Sequence, residues 1–309
     1  ILPRKQALRA RLRGHFALIC LLVGLALLIP PVLPCHATQA AAPALTCPAT
    51  VEEGQPFVVT VTCPAPRDDL SLTWQGKTFP LAVSQAGKTY QAEALLGMGL
   101  KRYQKHDAQT LLLTAGDKTL VSGTVTRTDH TFPEQRLTVA KKFTALSKKA
   151  LTRHRKEKKA ITKALATITP KRLWTLPLVR PVPGQVSSAF GLRRFFNEQP
   201  RAPHSGVDLR AAQGDPVKAC ASGTVLLTGD HYFAGKSIYL DHGQGVISMY
   251  FHLSAIAVRQ GETVSAGQVI GAIGSSGRVT GPHLHFGLSA LGQKVDPLPL
   301  FSQPKKVTQ

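Results

Sequence analysis

The chain has 309 residues, more than one domain usually holds, so two folded units with a linker or tail are expected. Its composition is that of an ordinary globular protein rather than a disordered or repetitive one. The exception is charge: 38 Lys and Arg stand against 17 Asp and Glu, giving +21.

The excess is unevenly placed. Arg4, Lys5, Arg9, Arg11 and Arg13 precede an apolar run at 16–29, and Pro30, Pro31 and Pro34 close it before a small-residue stretch. A basic start, a short apolar core and a small-residue exit read as a secretory signal over residues 1–40, with cleavage after Ala37 or Ala40. The run falls short of the ~20 apolar residues of a membrane-spanning helix; the alternative is an uncleaved signal anchor. Either reading exports the chain to the periplasm or cell envelope. In an oxidising compartment Cys47 and Cys63 could form a disulfide. Cys220, in an apolar stretch, reads as a small buried core residue.

Residues 41–137 read as a small all-β domain. Runs rich in Val, Thr and Leu at 57–61, 70–74, 109–114 and 119–126 alternate with glycine-containing turns at a spacing that suggests an immunoglobulin-like sandwich. Trp74 is the candidate core aromatic, and no catalytic constellation is present.

Residues 138–176 form a basic linker. Between 138 and 172 twelve Lys and Arg face one acid, Glu157, and Ala, Leu and Lys dominate with no Gly or Pro before Pro170, which predicts a helix. Such a stretch either binds anionic envelope polymers or lipid head groups, or is merely a solvated linker. An exported chain makes nucleic acid a poor partner.

From 177 to 309 short strands and frequent glycines return, as in an antiparallel β domain. Here the histidines cluster. His204 and Asp208 lie four apart in His-Ser-Gly-Val-Asp. Fully extended, their Cα atoms would stand ~13 Å apart, too far for one metal ion, and Gly206 supplies freedom to bend. In His283-Leu-His285, strand alternation turns both imidazoles to one face and sends Leu284 and Phe286 to the core. Two histidines and a carboxylate leave a tetrahedral zinc with an open position, the pattern of a catalytic site. The helical His-Glu-x-x-His signature is absent, so a histidine must serve as base. His252, in Tyr-Phe-His-Leu, and whichever of His283 and His285 is not a ligand are the candidates.

Over 188–297 these segments resemble the lysostaphin/LytM-type zinc endopeptidases of peptidoglycan. The resemblance is carried by Ser-Ala-Phe-Gly-Leu-Arg193, His204-Ser-Gly-Val-Asp208-Leu, Tyr250-Phe-His252-Leu and Gly-Pro-His283-Leu-His285-Phe. It implies a two-sheet β metallopeptidase fold, one Zn2+ held by His204, Asp208 and His285, and peptidoglycan as substrate. It makes His283 the general base or water-orienting residue. His252 would stabilise the developing oxyanion or share the proton work. Arg193 and Tyr250 fall to the substrate groove or its bracing, and His242 to a hairpin turn outside the chemistry. The residues before it are similar to the immunoglobulin-like domain that accompanies some members.

Two rivals stand beside this reading. A non-catalytic wall-binding protein that activates other hydrolases would have lost metal or base residues, and all five are present here. A lipoyl-type carrier is suggested by the turns at 261–274, but it needs an exposed lysine, and none occurs between Gly261 and His285.

Overall fold

The computed structural model describes residues 42–100, 107–138 and 147–301. The expected export signal, Lys141 and Lys142 lie outside them. Every described residue belongs to one compact unit, Ala40–Gln309. Among the described residues no helix is long and apolar enough to cross a membrane.

The fold is mostly β. In its N-terminal part a 4-stranded and a 5-stranded sheet enclose a common apolar core. Strict alternation builds it. Pro56–Cys63 buries Phe57, Val59, Val61 and Cys63 and turns the intervening residues outward; Leu70–Trp74 buries Leu70, Leu72 and Trp74. Each such side chain contributes about 1.5–3 kcal/mol on leaving water. Trp74 meets Phe57 edge-on at 5.4 Å and donates its indole N–H to Gly97 O.

The suggested Cys47–Cys63 disulfide is corrected. Both are free thiols. Ala44–Thr46 runs antiparallel to Pro56–Cys63 with Thr46 opposite Thr60, so Cys47 falls level with Val59. Four residues of strand, about 13 Å, then separate it from Cys63, well beyond the reach of an S–S bond.

The basic helix covers Lys148–Leu165, shorter than the 138–172 stretch. Ser147 caps its start by accepting from Ala150 N–H. β-Branched Thr167, Ile168 and Thr169 ahead of Pro170 disfavour its continuation. Most of its Lys and Arg are exposed, whereas Glu157 faces the protein, pairing with Arg153 and accepting from Tyr232 N–H at 2.9 Å.

The C-terminal part is a 10-stranded antiparallel sheet. At its centre Leu284–Ala290 lies between Val207–Leu209 and Val246–Ile256, and every one of its seven residues is buried. Glu134–Leu137, which the sequence reading placed at the end of the N-terminal domain, pairs in parallel with Arg193–Phe196 of the C-terminal part. A strand from the end of the expected N-terminal domain thus pairs beside the histidine-bearing region.

Candidate functional site

Strand register assembles the site. Asp208 stands opposite His285 across the Val207–Leu209/Leu284–Ala290 pair, and Phe251 stands opposite His285 on the other side. Three segments far apart in sequence thus meet at one imidazole. The Phe251 ring stacks on it at 5.2 Å, nearly parallel.

His204 precedes the short strand. The chain closes on itself here because Gly206 lies against the neighbouring strand: a Cβ would sit 2.4 Å from Phe286 O and 2.8 Å from His285 Nε2. Glycine is required for space; the backbone is not in the left-handed region. His204 Nε2, His285 Nδ1 and Asp208 Oδ1 form a triangle with sides of 3.0, 2.9 and 2.9 Å. All three side chains are nearly or partly buried.

This donor set fits a zinc-type ion. Donors bonded at ~2.0–2.1 Å to a tetrahedral centre stand ~3.3 Å apart, so the triangle would widen by only a few tenths of an ångström. Two imidazoles and one carboxylate are ligands of the matching kind. Burial opposes ionisation of Asp208, yet the His204 and His285 rings beside it outweigh this and hold the carboxyl well below its usual range. Burial also pushes His285 down, favouring the neutral, ligating form.

Backbone carbonyls orient the remaining rings. His204 Nδ1 lies 2.8 Å from Ala189 O, His252 Nδ1 2.9 Å from Ser276 O, and His283 Nδ1 2.9 Å from Gly281 O. A carbonyl only accepts, so each Nδ1 carries the proton and each neutral ring keeps its free lone pair on Nε2. For His204 that is the atom in the donor triangle. For His283 it is the atom 3.8 Å from Asp208 Oδ1.

His252 takes a left-handed backbone, φ 66°, within Val246–Ile256, where pairing with the neighbouring strands shifts register. Its N–H donates to Ala234 O at 2.8 Å. The twist brings its ring to 5.0 Å from His283 and 6.1 Å from His285. Burial pushes its pKa down to about 4, so it is neutral near pH 7.

Not every expected residue lies at this site. Tyr250 is fully buried against Phe286, its hydroxyl accepting from Cys220 N–H at 2.8 Å and lying 3.1 Å from Ser248 Oγ. It lines no groove and is placed only to brace from inside the sheet. Cys220 is buried as expected, with its sulfur 3.6 Å from buried His242 Nε2. Arg193 is displaced too. It lines a separate cavity of about 490 Å³ with Leu100 and Phe132, which contains none of the site histidines.

The groove at the histidines, about 720 Å³, is lined instead by Ser188, Arg194, Asp208, Arg210, Thr280 and His283. Arg194 Nη2 donates to Ser188 Oγ at 3.1 Å, and Ser188 Oγ lies 3.3 Å from His204 Nδ1. Arg194, next to the expected Arg193, is thus the arginine of that pair that lines this groove. Strand alternation, applied to Arg193–Phe196, was the available signal, since adjacent side chains face opposite ways.

Comparison with known proteins agrees with this geometry. The sequence profile of Peptidase family M23 matches residues 202–297. The peptidoglycan DD-endopeptidase ShyA of Vibrio cholerae is 42% identical over 113 residues, 36% of this chain and 26% of that protein. The DD-carboxypeptidase/endopeptidase Mpg of Neisseria meningitidis is 39% identical over 125 residues, 40% and 29% of the two chains. The chain thus spans little more than a quarter of the curated relatives it matches. A solved structure from Pseudomonas aeruginosa that carries the name peptidase M23 is 31% identical and superposes over 79% of this chain and 92% of that one, with a TM-score of 0.61.

Proposed function

The chain belongs to peptidase family M23, and on that premise we propose that it is an exported zinc endopeptidase hydrolysing peptide bonds in the stem or cross-link peptides of bacterial peptidoglycan. The observation that carries the reading is the convergence of His204 Nε2, His285 Nδ1 and Asp208 Oδ1, with His283 and His252 beside them.

His204, Asp208 and His285 would hold the ion. A zinc ion held there supplies Lewis acidity towards the attacking water and the scissile carbonyl. His283, with its proton fixed on Nδ1, offers Nε2 to take the proton of the attacking water and return it to the leaving amine. His252, neutral and tethered to Ser276 O, presents Nε2 as a partner in that proton work, or, once protonated, as a donor to the oxyanion. Phe251 stacks on the His285 ring, and the absence of a side chain at Gly206 leaves that ring its space.

Export rests on the basic and apolar pattern of residues 1–40, and the immunoglobulin-like character of 41–137 on its strand spacing; both are part of the proposal. So is the affinity of the exposed Lys and Arg of Lys148–Leu165 for anionic envelope polymers or lipid head groups.

The test is incubation of the full chain with purified peptidoglycan, with and without zinc, followed by mass spectrometry of the soluble products. Zinc-dependent release of peptide fragments, lost in His285→Ala, is the expected result and identifies the bond. Stoichiometric zinc binding without any cleavage would replace the proposal with the non-catalytic activator of other wall hydrolases.

A further inference from the structure

The groove carries two cations that no acid neutralises. Arg194 is half-buried on Arg193–Phe196 and spends its guanidinium on neutral partners, Ser188 Oγ at 3.1 Å and Gln135 Oε1 at 3.2 Å. Arg210, exposed just beyond Val207–Leu209, has no side-chain hydrogen bond or ion pair among the described residues. Several arginines elsewhere do pair with acids: Arg136 with Glu134 and Glu198, Arg153 with Glu157, and Arg172 with Glu93. The one acid that lines this groove, Asp208, is engaged by His204 and His285 and not by either arginine.

The two residues also share the groove with the donor cluster. Arg194 and Arg210 line the same space as Asp208 and His283. Arg194 is held by the hydroxyl that lies 3.3 Å from the His204 ring, so its position is tied to the site. Two of its donors are engaged, and the rest of the fork is left for a ligand. A guanidinium presents parallel N–H groups that match a carboxylate, and a partly buried groove strengthens that pairing.

We infer that Arg194 and Arg210 form a carboxylate-binding subsite, which selects peptides bearing a free carboxylate beside the bond to be cut over neutral bridges such as oligoglycine. The inference rests on the peptidase reading of the site and names the substrate feature that this site recognises. The carboxylate belongs either to the peptide's C-terminus or to an acidic side chain.

The test uses the full chain and one synthetic cross-linked stem peptide in three forms: both carboxylates free, the C-terminal carboxylate amidated, and the side-chain carboxylate amidated. Binding to the metal-stripped protein is measured by calorimetry, and kcat/KM with zinc restored. Amidation of one carboxylate should weaken binding and raise KM by about tenfold or more, the scale of a charge-assisted hydrogen bond. Which amide does so identifies the source. Arg194→Gln and Arg210→Gln should each bring the ratio between free and amidated forms towards one. The exposed position of Arg210 makes its variant safe for folding. Equal binding of all three forms by the unsubstituted protein, or a preference that survives both substitutions, overturns the inference. A preference in binding without any hydrolysis would support the subsite and remove the peptidase reading; hydrolysis with no preference would do the reverse.

Discussion

Asp208 Oδ1 lies 2.9 Å from His285 Nδ1, the two residues standing directly opposite each other across an antiparallel strand pair. Seventy-seven positions separate them in sequence, and the register of three residues on each strand brings them together. A slip by one residue would turn His285 to the opposite face. The donor triangle is thus positioned by the register of the sheet beneath it.

Asp208→Asn keeps the shape of the side chain and removes its charge. Zinc content, measured by plasma mass spectrometry after dialysis, should fall well below one ion per chain. Peptidoglycan hydrolysis should drop by more than about 100-fold, as expected when a metal ligand is lost. Retention of both would exclude Asp208 as a ligand.

His283→Ala and His252→Ala should separate metal binding from chemistry. Neither ring belongs to the donor triangle, so both variants should retain zinc. Turnover should fall by about 10²–10⁴-fold, the usual contribution of a positioned acid or base. Loss of zinc from His283→Ala would place that ring among the ligands instead.

Gly206→Ala introduces a methyl 2.4 Å from Phe286 O and 2.8 Å from His285 Nε2. The backbone has to move, at a cost of about 1–3 kcal/mol. Thermal melting should shift down, and zinc affinity should weaken with it because His204 and Asp208 flank the displaced residue. An unchanged melting temperature would show that the loop has slack.

His231 offers a pH prediction away from the centre. Burial pushes its pKa below the ordinary 6.5, opposed by nearby Glu157, and its Nδ1 lies 2.6 Å from Ser237 Oγ. Below about pH 6.5 the unfolded chain therefore binds more protons at this ring than the folded one, and stability is lost as pH falls through that window. His231→Gln should lose less stability between about pH 7.5 and 5.5 than the parent, in urea unfolding. Parallel pH profiles would discount the ring.

The alternation of Pro56–Cys63 and Leu70–Trp74, the helix-forming composition at 148–165 and the paired patterns His204-x-x-x-Asp208 and His283-x-His285 were all legible along the chain. They depend on period and residue type, which are local properties. From them follow the mostly β class, the basic helix and a candidate ligand set.

What tertiary structure alone decided is which local features meet. The two cysteines proved to lie four residues apart along a strand pair, because register, not proximity in sequence, sets the sulfur separation. Tyr250 turned inward and Arg194 replaced Arg193 at the groove, because the face a strand residue occupies depends on the pairing chosen across the sheet. The freed Nε2 of His252 and His283 depends on Ser276 O and Gly281 O, carbonyls that any residue type would supply. Sequence determined the donors available to this protein; their convergence and proton positions came from backbone geometry, which carries no side-chain signature to read.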